Sequence, residues 1–344
     1  MFKSKAWFAA VFCLGLAALD PTGWAAAGAQ SGRPGALQTL AGPPIVVRAD
    51  PRVIRSFVPA RVQPRLRTDA SLVSITVIYT GFTPQAQAAF QHAVDLWADQ
   101  ITSPVPIRID AQFTALGPGV LGSAGPVTLV RNATGLPPST WYPIALANKI
   151  AGVDLQPAAN DIRASFSNSF SWYYGTDGNA PAGTYDFVSV VMHELGHGLG
   201  FIGSASVSAG SGSWGAGGNP FVYDTFTENG GGQAIISFAS PSVALGTQLT
   251  SSNLYFDGPS TRLANGGNPA RIYAPASWQG GSSYSHFDES TFPAGNPNSL
   301  MTPQIASREA IHDPGPVGRG LLEDIGWTVG PVTLTAPVNL RIVP

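Results

Sequence analysis

The sequence predicts an α+β protein in which a sheet with packed helices is followed by an irregular half. Two observations favour this class. Residues from about 71 to 113 read as strand, helix, strand, an order typical of helices packed on a sheet. Residues 204 to 284 are rich in Gly, Ser, Asn and Pro and show short strand-like pieces with little helical pattern.

The first elements follow from local patterns. The β-branched, partly alternating run from Leu72 to Tyr79 predicts a strand, so we expect the ordered domain to begin near Ser71. Thr83 and Pro84 then provide an N-cap and a proline at the first helical position. Apolar residues at helical spacing extend this helix from about 84 to 101. The next strands are predicted at 106–113 and within 161–174.

A second strong helix is predicted from about Tyr185 to Leu199. Thr184 can cap it, and the charge of Asp186 suits the positive end of the helix dipole. Gly200 can end it. The segment 321–327 resembles the end of a last helix, and residues 331–344 form a predicted C-terminal tail.

Residues 1–27 have the features of a signal peptide. Lys3 and Lys5 precede an apolar run from Ala6 to Leu19, which is short for a membrane span. We therefore expect a secreted protein, extracellular or periplasmic, with no membrane span in the mature chain. An uncleaved membrane anchor is the alternative. The only cysteine is Cys13, so a metal in the mature chain would depend on His, Asp or Glu.

Residues 28–70 are interpreted as a pro-segment or a linker, because they are rich in Pro, Arg, Gly and Ala without a sustained period. They carry a net charge of +5, whereas residues 71–330 carry −9. A basic pro-segment can dock on the acidic body and block its cleft, and a solvated linker is the alternative. The acidic body argues against nucleic-acid binding.

The residues with the clearest chemistry are His193, Glu194 and His197. Four residues on a helix place the two imidazoles about 40° apart around the axis and one turn along, so both can reach one cation. The spacing H-E-x-x-H is typical of a zinc site in which the glutamate is a general base and not a ligand. Zinc lowers the pKa of its bound water to about 7, and Glu194 can then take the proton.

A catalytic zinc ion (Zn2+) needs a third protein ligand. We favour His286, which follows the Gly-rich region. Four further candidates remain open, namely His312, Asp288, Glu289 and Asp224, while His92 lies on the early helix and is expected at the surface.

The run His193-Glu194-Leu195-Gly196-His197-Gly198-Leu199-Gly200 resembles the motif of the metzincin metalloproteases. Their third histidine is absent here, because Gly203 occupies its place. The leishmanolysin branch of metzincins, however, has a long insertion before that histidine. His286, 89 residues after His197, fits this arrangement. Met301, 15 residues further on, resembles the methionine turn that forms an apolar floor under the metal.

The resemblance implies a metzincin-like zinc protease domain over 71–330. An N-terminal sheet-plus-helices part (71–203) would hold the active-site helix, and an irregular C-terminal part (204–330) would supply His286 and Met301. The implied activity is zinc-dependent endopeptidase cleavage of a protein or peptide substrate, with Glu194 as general base and Gly200 ending the helix. The alternative is a non-enzymatic secreted adhesin or binding module with a structural zinc site.

Overall fold

A computed structural model describes residues 36–61 and 73–330. The predicted signal peptide (1–27), with Cys13, and the predicted tail (331–344) lie outside the described residues. The described strands are β1 (Gln38–Ala41), β2 (Ile45–Val58), β3 (Ile75–Thr80), β4 (Ile101–Thr102), β5 (Ile107–Thr114), β6 (Val120–Pro126), β7 (Thr128–Arg131), β8 (Tyr142–Pro143), β9 (Ile162–Ser167), β10 (Trp172–Tyr173), β11 (Tyr185–Asp186), β12 (Ser206–Ser208), β13 (Ser211–Ser213), β14 (Thr227–Asn229), β15 (Leu254–Phe256), β16 (Ala270–Ile272), β17 (Gln304–Ile311) and β18 (Thr328–Val329). The described α-helices are α1 (Pro84–Ala98), α2 (Ile144–Ala151), α3 (Phe187–Leu199), α4 (Val243–Leu249), α5 (Pro259–Ala264) and α6 (Gly315–Ile325).

The main sheet has six strands in the order β17-β2-β6-β9-β5-β3. The three strands β3, β5 and β9 run parallel to one another, and β6 runs antiparallel to both of its neighbours, β9 and β2. At the far edge, β17 pairs with β2 in parallel. Together with the six helices, this sheet confirms the predicted α+β class.

Two helices form the layer on this sheet. The indole nitrogen of Trp97 on α1 donates to the Met192 carbonyl on α3 at 2.9 Å. Phe90 of α1 and Phe187 of α3 each pack edge to face with Phe166 of β9. Burying aromatic rings of this size contributes much of a core's stability. The helix α3 is thus fixed between α1 and the sheet.

The predicted start of the ordered domain near Ser71 is wrong, because β2 already belongs to the main sheet. Residues 45–48 pair with β6, and residues 48–58 pair with β17. A strand that is hydrogen-bonded on both sides satisfies its backbone groups in a way that a solvated linker does not. The interpretation of 28–70 as an irregular linker therefore fails for residues 38–58. Residues 62–72 lie outside the description.

The C-terminal part is less separate than expected. It supplies β17 to the main sheet and carries the small sheet β14-β15-β16. The helices α4 and α5 are short pieces that the sequence did not predict, as is α2 in the N-terminal part. Two predicted helices are confirmed with shifted ends: α1 ends at Ala98, because residues 101–102 pair with β18, and α6 ends at Ile325.

Candidate metal centre

The helix α3 carries His193, Glu194 and His197, and its ends are set by local signals. Asp186 is the N-cap, and its carboxylate accepts the Ser189 amide at 2.8 Å. The expected cap at Thr184 is therefore wrong by two residues, since Asp186 is the acidic residue adjacent to the first helical amides. Gly200 ends the helix with a φ of 122°, as predicted, a conformation that favours glycine. All thirteen residues of α3 are buried.

The structure brings His193, His197 and His286 together. Their Nε2 atoms are separated by 3.0 Å (His193 to His197), 3.2 Å (His193 to His286) and 3.3 Å (His197 to His286). In the part of the chain that the structure describes, they form the one group of three or more His, Cys, Asp or Glu residues placed to hold a metal ion.

Each of these rings is oriented by a backbone carbonyl. The Nδ1 atoms of His193, His197 and His286 lie 2.6, 2.7 and 2.6 Å from the carbonyl oxygens of Leu300, Phe201 and Ser282, respectively. A carbonyl only accepts, so each Nδ1 carries the proton and donates it. Each Nε2 is then an unprotonated lone pair. A backbone carbonyl on the second ring nitrogen is the usual support of a metal-binding histidine.

These three nitrogens fit a tetrahedral metal ion. Three lone pairs aimed at one point repel each other unless a cation lies between them. Zinc–nitrogen bonds of about 2.0–2.1 Å in tetrahedral geometry separate the nitrogens by about 3.3 Å, which agrees with the observed separations of 3.0–3.3 Å. Three donors leave a fourth tetrahedral position for another ligand.

Burial keeps the three rings neutral. It lowers the pKa of His193 to about 4, and it lowers the pKa values of His197 and His286 well below the usual range for histidine. The rings of neighbouring histidines add to the fall for His197 and His286. A neutral imidazole is the form that binds a metal.

His286 reaches the helix from a short, well-anchored loop. The Tyr273 amide donates to the His286 carbonyl at 2.8 Å, and the Phe287 amide donates to the Met301 carbonyl at 2.8 Å. Tyr284, two residues before His286, has a φ of 74° and is fully buried. These contacts join the third imidazole to the Met301 turn.

Met301 packs directly on α3. A Cβ atom added at Gly196 would lie 2.7 Å from the Met301 sulfur, so the glycine is needed for this close approach. The neighbouring Leu300 supplies the carbonyl that orients His193. Met301 therefore packs against α3 at Gly196, which lies between His193 and His197 in sequence. Its role as an apolar floor under a metal stays a prediction.

Gly203 occupies the place of the missing motif histidine, and the structure explains why no side chain stands there. A Cβ atom on Gly203 would lie 2.3 Å from the Tyr284 ring. Its amide donates to Ser285 Oγ at 3.0 Å. The Tyr284–Ser285 segment that leads to His286 thus fills the space beside Gly203.

The other candidate ligands are hydrogen-bonded or ion-paired elsewhere in the structure. His312 pairs with Asp186 at 2.9 Å at the opposite end of α3, and the ring of the half-buried His92 lies 6.1 Å from that of His312. Asp224 accepts the amides of Ser204 and Phe221 in a loop. Asp288 and Glu289 lie near arginines, Arg271 at 4.0 Å and Arg52 at 3.7 Å. None of the five joins the histidine group.

Glu194 directly follows His193 in sequence, and its side chain is fully buried. It does not belong to the group of three donors that could hold a metal ion. Its Oε1 accepts the Val47 amide of β2 at 3.1 Å, and its Oε2 has no hydrogen-bond partner within the described residues. Burial raises the pKa of this carboxyl well above its usual range, and the amides of Val47 and Ala124 oppose that rise. One carboxylate oxygen is thus bound and the other is unpaired.

The strand β6 passes directly over Glu194. A Cβ atom added at Gly122 would lie 2.8 Å from both Cγ and Oε1 of Glu194. Neither Gly122 nor Val47 was found from the sequence. The β-branched run Ile45-Val46-Val47 was the available signal for the strand that contains Val47.

Comparisons with known proteins add one partial match. A family model described as SPBPB7E8-like matches residues 131–217, about a quarter of the chain. This stretch includes α3 with its two histidines, but it ends before His286 and Met301. No curated protein and no solved structure matches the chain.

Within residues 36–61 and 73–330, none of the helices is both long and apolar enough to cross a membrane.

Proposed function

We propose that this protein is a zinc-dependent endopeptidase of the metzincin type. The observation that carries the proposal is the group of three neutral imidazoles, each fixed by a carbonyl on Nδ1 and each presenting Nε2 to the same point. Zinc fits the nitrogen donors, the number of ligands and the separations between them. The presence of Glu194 between the two helical histidines favours a catalytic role over a purely structural one.

When bound, zinc would supply Lewis-acid chemistry that activates water and polarises the carbonyl of a peptide. His193, His197 and His286 would hold it through Nε2. Glu194 would accept a proton from the attacking water and deliver it to the leaving amine nitrogen. Its free Oε2, raised pKa and low exposure suit a group that must gain and lose a proton inside a closed site.

The metzincin assignment itself rests on the order of features along the chain. His193 to Gly200 supply the helical motif, His286 follows a long insertion, and Met301 packs against Gly196. The apolar N-terminal run is the support for secretion, so we propose an extracellular or periplasmic protein that acts on proteins or peptides.

The full burial of the three histidines also favours a second candidate, a secreted binding module with a structural zinc ion. Such a site is closed by four protein ligands and leaves no position for water. The two candidates differ in one measurable property, the hydrolysis of peptide bonds by the zinc-loaded protein.

The test compares wild type with Glu194→Gln, using zinc content and cleavage of a fluorogenic casein. Because β2 contacts Glu194, both proteins are assayed uncut and after cleavage between residues 61 and 73. We expect one zinc per chain in both proteins and a loss of at least about 100-fold in hydrolysis for Glu194→Gln, the size typical of losing a general base. Zinc-loaded wild type that stays inactive in both forms would instead indicate the structural site.

A further inference from the structure

Two segments of the chain meet beside the candidate metal centre. Residues 201–204 leave the end of α3, and residues 282–286 lead to the third histidine. The Gly203 amide donates to Ser285 Oγ at 3.0 Å, and a Cβ atom at Gly203 would lie 2.3 Å from the Tyr284 ring. Because the two segments are in such close contact, whatever joins them sets the position of the third imidazole relative to the helix.

The carboxylate of Asp224 binds the first segment. Asp224 lies on a short 3₁₀-helix, Tyr223–Phe226. Its Oδ1 accepts the Ser204 amide at 2.9 Å, and its Oδ2 accepts the Ser204 hydroxyl. Oδ2 also accepts the Phe221 amide at 2.7 Å. Hydrogen bonds to an ionised carboxylate are stronger than those between neutral groups, so Ser204 is held through both its main chain and its side chain.

The same 3₁₀-helix binds the second segment at Tyr284. The Thr227 hydroxyl donates to the main-chain carbonyl of Asp224 at 2.9 Å, so its oxygen is the acceptor for the Tyr284 hydroxyl, 2.5 Å away. The Tyr223 hydroxyl donates to the Tyr284 carbonyl at 2.9 Å. Tyr284 has a φ of 74°, which a residue other than glycine keeps only where its surroundings fix it.

This network is closed to solvent and fully hydrogen-bonded. The side chains of Asp224, Thr227 and Tyr284 are all buried. Burial raises the pKa of Asp224 to about 6, and hydrogen bonds from Ser204, Phe221 and Tyr284 oppose that rise. A buried polar network in which each member has its partners stabilises one arrangement, whereas the loss of one partner is costly.

We propose that Asp224 is a positioning residue of the candidate metal centre, which joins the segment after α3 to the segment before His286. It does not belong to the group of donors that could hold a metal ion. The inference rests on one part of the proposed function, the binding of zinc by the three histidines. It adds the residue that sets the third imidazole against the helical pair.

The effect of Asp224 reaches the imidazoles through the main chain. Phe201, three residues before Ser204, supplies the carbonyl that orients His197. Tyr284 lies two residues before His286. If either segment is released, the Nε2 atoms of His197 and His286 lose their fixed separation of 3.3 Å. Zinc then binds less tightly, because groups beyond the ligands hold them in place for the metal.

The test replaces Asp224 with Asn in the full chain. The change keeps the size of the side chain but leaves one acceptor oxygen for three donors. Zinc affinity is measured by competition with a chelator, and the geometry is followed in the absorption spectrum of the cobalt-loaded protein. We expect zinc affinity to fall about tenfold, the low end for an outer partner, because Asp224 acts at one further remove from the metal. The cobalt bands should shift.

Asp161→Asn is the matched control. Asp161 is also buried, its pKa is also raised by burial to about 6, and it accepts the Arg108 amide at 2.8 Å and the Asn148 side chain at 3.0 Å. These partners lie on β5 and α2 and not on the segments beside the histidines. The control should lower the melting temperature but keep the zinc affinity and the cobalt spectrum of wild type.

A second variant, Tyr284→Phe, tests the link to the third histidine without changing Asp224. It keeps the ring against Gly203 and removes only the hydroxyl that bonds Thr227. We expect a smaller fall in zinc affinity in the same direction. The combined fall in the double variant with Asp224→Asn should be smaller than the product of the two, because residues of one network are not independent. Thermal melting of each metal-free variant verifies that it folds, and Tyr284→Phe carries the test if Asp224→Asn does not.

The two proposals fail in different ways. Unchanged zinc affinity and an unchanged cobalt spectrum in the folded variants would overturn the positioning role, even if wild type cleaves peptides. An equal loss of affinity in Asp161→Asn would also overturn it, since the cause would then be general stability. Lower affinity in Asp224→Asn alone, with no hydrolysis by zinc-loaded wild type, would support the positioning role and contradict the peptidase function. Wild type that binds no zinc would overturn both proposals.

Discussion

At the scale of single residues, the centre depends on where three imidazole protons are held. Carbonyls of Leu300, Phe201 and Ser282 fix the protons on Nδ1, so the three Nε2 lone pairs converge. Two of these carbonyls belong to the segments around Met301 and Tyr284, and one belongs to the turn after Gly200. The geometry of the donors is thus built by backbone and not by other side chains.

Replacing His286 with Ala tests this arrangement. Loss of a residue that only hydrogen-bonds to a metal ligand usually lowers metal affinity by about 10–100-fold. Because His286→Ala removes one of the three donors themselves, zinc affinity should fall by more than this. The matched control is His312→Ala, a buried histidine paired with Asp186 at the other end of α3. The control should keep full zinc content, measured by metal analysis after dialysis. Zinc loss in His312→Ala but not in His286→Ala would contradict the assigned ligand.

Gly122→Ala tests the position of Glu194 under β6. The new Cβ would lie 2.8 Å from the Glu194 carboxyl group and must displace it. We expect hydrolysis by Gly122→Ala to fall at least about tenfold relative to zinc-loaded wild type, since a small misplacement of a catalytic group is costly, while zinc content stays the same. Gly117→Ala is the control, because the nearest atom to its Cβ is 4.0 Å away. An active, zinc-loaded Gly122→Ala would show that Glu194 has no fixed role.

At the scale of elements, the predictability of α3 and β2 differs for a physical reason. The features that fix α3 are local: an acidic N-cap, a pair of histidines one turn apart and a glycine at the end. The strand β2 is stabilised instead by β6 and by β17, whose residues lie about 250 positions later. The sequence around β2 is rich in Arg, Pro and Gly, and Pro51 lies within the strand. These residues argue against a strand in a local analysis, and the strands that stabilise β2 are remote in sequence.

A buried carboxylate on β17 provides a pH test of that pairing. Glu309 is 2% exposed and accepts the Ala306 amide at 2.9 Å. Burial raises its pKa from 4.5 to about 7, and the negative charges of Glu289 and Asp50 contribute, while Arg52 opposes the rise. The folded protein therefore holds this proton more tightly than the unfolded chain. Its contribution to stability is complete below about pH 4.5 and is lost as the pH rises to about 7.

Glu309→Gln removes this dependence. The variant should gain up to about 3 kcal/mol of unfolding free energy over wild type above pH 7, and the gain should disappear near pH 4.5. Denaturant unfolding at both pH values measures it. Glu323→Gln, the same change on the exposed face of α6, is the control and should show no such difference. A gain for Glu309→Gln that is independent of pH would contradict the assigned cause.

At the scale of the whole molecule, the candidate metal centre joins distant parts of the chain. The helix brings two imidazoles, and a loop 89 residues later brings the third. The sequence predicted these three residues from helical spacing and from a resemblance. It did not predict the strand across them, because nothing local relates Val47 to Glu194, 147 residues away.

Zinc-edge X-ray absorption on the zinc-loaded protein tests the central claim most directly. The account predicts three imidazole nitrogens at about 2.0–2.1 Å and one exchangeable oxygen ligand from water, with one imidazole missing in His286→Ala. A spectrum with four protein donors, or a protein that retains no zinc at all, would contradict it.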